Sequence, residues 1–213
     1  MKRPKFTKFQ LFVHLAALLP LALLVWDIVQ GNLSVNPIQD ITFRTGKAAL
    51  VLLVLTLAAT PANTIFGFRQ AIKVRRALGL YAFLYAGIHF LIFIGLDYGF
   101  NFRLLWLELV EKRYVLVGSA ALLILIPLAV TSTKGWQRRL GKRWKTLHKW
   151  IYLAGILVIV HYAWVQKADI RQPLLWGGIV ALLLVARIPA VRRAAVRFRQ
   201  SKSKSPSRAP VQG

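Results

Sequence analysis

The sequence predicts an all-α, polytopic membrane protein: a six-helix transmembrane bundle with both termini in the cytoplasm. Three observations predict it. The 213 residues are 57% hydrophobic, with a mean hydropathy of +0.54, well above what a soluble domain of this length needs. Apolar runs long enough to cross a hydrocarbon core, which takes about 20 residues, recur along the chain. The charges fall between those runs, with a sidedness that alternates from one connection to the next.

The first run, 9–26, follows a basic start (Lys2, Arg3, Lys5, Lys8) that resembles a signal peptide. It is long for a signal core and ends at Trp26-Asp27 with no small-residue cleavage site, so a retained helix is expected over 9–29. Further spans are expected at 47–62, 77–97, 114–131, 147–165 and 174–190. Pro20, Pro127, Gly87, Gly155, Gly177 and Gly178 interrupt them, as membrane helices tolerate better than soluble ones. The runs are too long and unalternating for barrel strands.

Orientation follows from the cations. Basic residues crowd the N-terminus, the second-to-third connection (Arg69, Lys73, Arg75, Arg76) and the fourth-to-fifth connection from Lys134 to Lys149. The last group runs from Arg187 into the tail. These four segments hold 23 of the 30 Lys and Arg, and all six acids fall on the other side. The positive-inside rule places the basic side in the cytoplasm. The net charge of +24 is thereby explained as topology and attraction to anionic membrane lipid, and no nucleic-acid motif accompanies it. Residues 1–195 form the expected transmembrane domain. The basic, Ser/Pro-rich remainder, 196–213, is expected to be disordered.

With no cysteine and only the initiator Met, a metal must be held by His or carboxylate. Four histidines remain: His14, His89, His148 and His161. A histidine inside a span is costly and marks function by default, although each one alone could be interhelical glue. Depth separates these readings. His89 lies 13 residues past Arg76 and His161 lies 12 past Lys149, about 20 and 18 Å along parallel helices. Two level imidazoles across a bundle suit the two axial faces of a haem b iron. Tyr81, Tyr85, His89 and Phe93 form an i, i+4 aromatic stripe beside that ligand, and Gly87 and Gly155 thin the ligand helices. His148 sits about 20 Å nearer the cytoplasm. It has no matching imidazole on the third helix, where Arg75 and Arg76 stand ready for haem propionates but not for iron. His14 is either its partner or packing glue.

The stretch TSTKGWQRRLGKRWKTLHKWIYLAGILVIVHYAW, with RRALGLYAFLYAGIHF and HLAALLPLALLVW, resembles the ferric-reductase-like transmembrane domains. Among them it is most like the MsrQ (YedZ) family, over about residues 9–195. That resemblance implies haem b on His89, His148 and His161, and an FMN. Electrons would come from the quinone pool or a cytosolic flavin reductase. They would pass to a periplasmic molybdopterin partner like MsrP, which reduces methionine sulfoxide in envelope proteins. Oxidase relatives carry two histidines on each ligand helix; the third helix here has one.

About 20 residues follow the sixth span, too few for a nucleotide-binding domain, and no GxGxxG or Walker pattern occurs. Donor and acceptor are therefore expected to be separate molecules, with chemistry carried on a partner rather than catalysed by this chain. Residues 98–113 (Tyr98, Phe100, Phe102, Trp106, Glu108) are a candidate docking surface. The rival reading is a transporter or proton conductor using its histidines as relays, which would call for acids deep in a span and an inverted repeat. Neither is evident.

Overall fold

A computed structural model describes residues 6–166 and 169–203. Among them the structure is all helical: α1 (Lys8–Gln30), α2 (Pro37–Phe66), α3 (Arg69–Ile92), α4 (Phe102–Glu111), α5 (Arg113–Val130), α6 (Lys134–Leu140), α7 (Lys142–Leu147), α8 (Trp150–Val165), α9 (Arg171–Val185) and α10 (Pro189–Ser203). A π-helical turn, Phe93–Asp97, extends α3. Five segments are long and apolar enough to cross a membrane, or six if α9 and α10, bent by 78°, count as one. Large apolar side chains point outward, with Leu123 67% and Leu182 71% exposed. Such a surface suits hydrocarbon rather than water.

The helix ends carry local signals. Thr7 accepts from Gln10 N at 3.2 Å, and the Gln10 side chain accepts from Thr7 N at 2.9 Å, a capping box opening α1. Asn36 and Pro37 open α2. Gly31 and Gly67, with φ of 69° and 73°, close α1 and α2 in the left-handed region. The second helix is longer than its apolar core. Its first turns hold Asp40 and Arg44, and Arg44 bridges Asp40 at 2.8 Å and Asp27 of α1 at 2.5 Å. Pairing lets a charged start continue the helix.

Two hairpins form the centre: α2 packs closely on α3, and α5 on α8. The core gathers around α2, where Leu53 and Leu57 are buried, together with Tyr85 and Ala154. The first helix is held to α3 by inserted hydroxyls. Tyr85 OH donates to Ala17 O at 2.8 Å and accepts from Leu21 N at 3.0 Å, entering the α1 ladder beside Pro20. An apolar groove of about 660 Å³ lies between α1, α2 and α3.

The expected fifth span is present within one apolar segment, Lys142–Val165, in which only His148 and Lys149 leave the helical pattern between α7 and α8. The expected sixth span differs. Helix α9 stops at Val185, and the chain turns at Arg187-Ile188 before Pro189 opens α10. That amphipathic helix continues to Ser203, into the segment assigned to the tail, and Arg199 ties it to the end of α2. Residues 204–213 lie outside the described residues. On the opposite face, α4 exposes Phe102, Trp106 and Val110 along one stripe. Glu108 turns inward to Lys112 at 2.5 Å, and this carboxylate raises the lysine's pKa.

Candidate functional site

Helices α3 and α8 bring His89 and His161 together, with ring centres 6.1 Å apart and ring planes nearly perpendicular at 86°. Each imidazole is fixed by the hairpin partner of its own helix. His89 Nδ1 lies 2.9 Å from Thr42 O on α2, and His161 Nδ1 lies 2.8 Å from Tyr114 O on α5. A carbonyl only accepts, so both Nδ1 atoms carry the proton. Both Nε2 atoms are then left unprotonated, the form in which imidazole binds a metal. A hydrogen bond from the second nitrogen also fixes ring orientation and raises ligand basicity. With metal–nitrogen bonds of about 2 Å, two imidazoles on one iron would have centres roughly 6 Å apart. The residues present fit that group.

Room for the rings comes from two glycines that the sequence reading did not single out. A Cβ on Gly46 would lie 3.1 Å from His89 Nδ1, and one on Gly118 would lie 2.6 Å from His161 Nδ1. Each glycine sits one helical turn after the carbonyl that holds the same ring. The arrangement is repeated: 47 residues separate carbonyl from imidazole in both hairpins. The signal was available as an equal spacing of glycine and histidine in two apolar hairpins. Gly155 instead admits Leu57 at 3.1 Å, and Gly87 has nothing within 4 Å, so neither thins the helices at the rings.

His148 is elsewhere and differently held. It caps α7, with its ring stacked on Trp144 at 4.1 Å. Thr131 Oγ1 is 2.6 Å from Pro127 O and must donate there, so it accepts from His148 Nε2 at 3.0 Å. His148 is therefore the opposite tautomer, with Nδ1 left for a metal. Arg75 stands within electrostatic reach of His148, and its Nη1 donates to Thr60 at 3.0 Å. Arg76 is exposed. His14 bonds Tyr81 OH at 2.9 Å, an α1–α3 contact. The aromatic stripe thus divides, Tyr81 and Tyr85 facing α1. No group of three or more His, Asp or Glu that could hold a bare metal ion occurs among the described residues.

Comparison with known proteins fits this geometry. The family model for the ferric reductase like transmembrane component matches residues 45–159. The protein-methionine-sulfoxide reductase heme-binding subunit MsrQ of Rhodospirillum rubrum is 46% identical over 183 residues, 85% of this chain and 88% of that protein. The subunit of the same name from Xanthomonas euvesicatoria pv. vesicatoria is 44% identical over 182 residues, 83% and 84% of the two chains. That of Xanthomonas oryzae pv. oryzae is 41% identical over 203 residues, 92% of each. The chain belongs to the MsrQ family. As an MsrQ-family protein it is a multi-pass membrane protein of the ferric reductase-like group. The family match takes in Gly46, His89, Gly118 and His148 and stops two residues before His161. The relatives' names specify heme and methionine sulfoxide reductase, and no flavin. No solved structure matches the chain.

Proposed function

We propose that this protein is the haem b membrane subunit of a methionine sulfoxide reductase system, with His89 and His161 as the two axial ligands of one haem. The observation that carries the reading is the facing pair itself. Two imidazoles meet across the bundle at 6.1 Å with both Nδ1 protons committed to backbone carbonyls. A bound haem supplies one-electron exchange between ferric and ferrous iron. The chain's residues hold both imidazoles neutral, orient them by Thr42 O and Tyr114 O, and keep water from the pair with apolar helices. His148, which the family resemblance also makes a ligand, would act through Nδ1.

Electrons are received from the quinone pool or a cytosolic flavin reductase. They are delivered to a periplasmic MsrP-like molybdopterin reductase that repairs oxidised envelope proteins. The basic face lies in the cytoplasm of a bacterial inner membrane, as the positive-inside rule requires. The histidine pair then stands toward the periplasmic half, nearer the acceptor. Charge sidedness supports the orientation, and the relatives' printed names support association with a methionine sulfoxide reductase. The test is the reduced spectrum of detergent-purified protein from haem-sufficient cells. A sharp b-type alpha band that disappears in a His89→Ala, His161→Ala double variant is expected. Colourless wild-type protein, or full haem in the double variant, overturns the reading.

A further inference from the structure

The junction of α9 and α10 holds a feature that the histidine pair does not use. Arg187 reaches back from the bend to α2, one turn before its internal Pro61. Its Nη2 donates to Leu57 O at 2.5 Å and its Nη1 to Tyr152 OH at 2.9 Å. Leu57 O has no helical donor because residue 61, one turn on, is proline. Arg187 therefore satisfies a carbonyl that the sequence orphans, and its guanidinium lies 5.0 Å from the Tyr152 ring centre. Its Nε, however, is buried with no acceptor among the described residues. A buried donor left unpaired is destabilising.

Arg187 also lines a pocket of about 370 Å³ with Arg192, Arg193 and Arg197, and with Pro189 and Val196 as its apolar wall. Four arginines meet there, and no acid lines the pocket or pairs with them among the described residues. Arg75 adds its field to that of Arg187. Uncompensated like charges at this density call for an anion, and guanidinium forks match phosphate oxygens best. The position selects the source. Helix α10 turns 78° from α9, so it runs along the membrane surface when α9 crosses the membrane. Its attachment to the last turn of α2 through Arg199, which donates to Asn63 O and Thr64 O at 3.1 and 3.2 Å, fixes it at the ends of the spans. That is headgroup depth.

We propose that Arg187, Arg192, Arg193 and Arg197 form a binding site for the phosphate of an anionic phospholipid of the adjoining leaflet, with Pro189 and Val196 against its glycerol. Basic pockets between membrane helices hold such headgroups elsewhere. The site locks the bend, because one headgroup joins Arg187 at the bend to three arginines of α10. It stands apart from the histidine pair and does not depend on haem.

The test uses full-length protein, purified in detergent and stripped of lipid. Thermal unfolding is followed with added phosphatidylglycerol, phosphatidylcholine or inorganic phosphate, alongside native mass spectrometry. The expected result is a higher midpoint and a retained adduct with phosphatidylglycerol only. The Arg192→Gln, Arg193→Gln variant, altered at exposed positions, should bind it roughly tenfold or more weakly. Its haem spectrum should stay unchanged. Equal stabilisation by phosphatidylcholine, or an unaltered adduct in the variant, overturns the site. Reproduction of the shift by inorganic phosphate at equal concentration overturns the lipid assignment.

Discussion

The histidine pair and His148 are built from the same side chain with opposite polarity. His89 and His161 give their Nδ1 protons to carbonyls of α2 and α5 and rest against glycines. His148 gives its Nε2 proton to a threonine hydroxyl and rests against an indole. What a histidine offers to a metal is decided by what its other nitrogen meets. The pair leaves Nε2 of each ring unprotonated, since each Nδ1 proton is committed to a carbonyl. His148 keeps its Nε2 for Thr131. The difference teaches that counting histidines along a span is a weaker guide than asking which nitrogen each leaves free.

Breaking the pair should have the largest effect. His89→Ala or His161→Ala alone should lower haem per chain roughly tenfold or more in purified protein, read by a pyridine haemochrome assay. Next comes the space behind the rings. Gly118→Ala places a methyl 2.6 Å from Nδ1, so the ring must leave Tyr114 O, whereas Gly46→Ala meets its ring at 3.1 Å. Overpacking of this kind costs about 1–3 kcal/mol. Haem retention should fall more in Gly118→Ala than in Gly46→Ala; equal retention would remove the asymmetry between the two hairpins. The middle prediction concerns His148→Ala, which should lower haem per chain while leaving the low-spin signature of the pair intact. Unchanged stoichiometry would leave His148 as a hydrogen-bonding residue alone. The smallest effects should come from His14→Ala and Thr131→Val. Each should lower stability by about 0.5–1.5 kcal/mol in thermal unfolding, with the alpha band of the pair unmoved.

Much of this arrangement could be read from the chain. The level placement of His89 and His161 followed from residue counts beyond Arg76 and Lys149, because helical rise is constant. The spans followed from hydropathy. What escaped had physical causes. Gly46 and Gly118 lie on the neighbouring helices, so a search for small residues along α3 and α8 found Gly87 and Gly155 instead. The early start of α2 was hidden by Arg44, whose charge depresses hydropathy although Asp27 and Asp40 pair with it. The bend at Arg187 was hidden in the opposite way. Apolar residues continue to Ile188, and only Pro189 marks where the direction changes. His148 does lie within one continuous apolar segment, Lys142–Val165, but the two-residue turn at His148 and Lys149 was not legible because neither residue is a helix breaker.

The attachment of α1 separates its role from that of the helices that hold the rings. Those four helices close upon one another. The first helix meets the quartet through the hydroxyls of Tyr81 and Tyr85 and through the Asp27–Arg44 ion pair, with an apolar groove between them. None of these contacts is made to an imidazole of the pair or to the carbonyls that hold it. The outer strut therefore braces the frame without setting its bite.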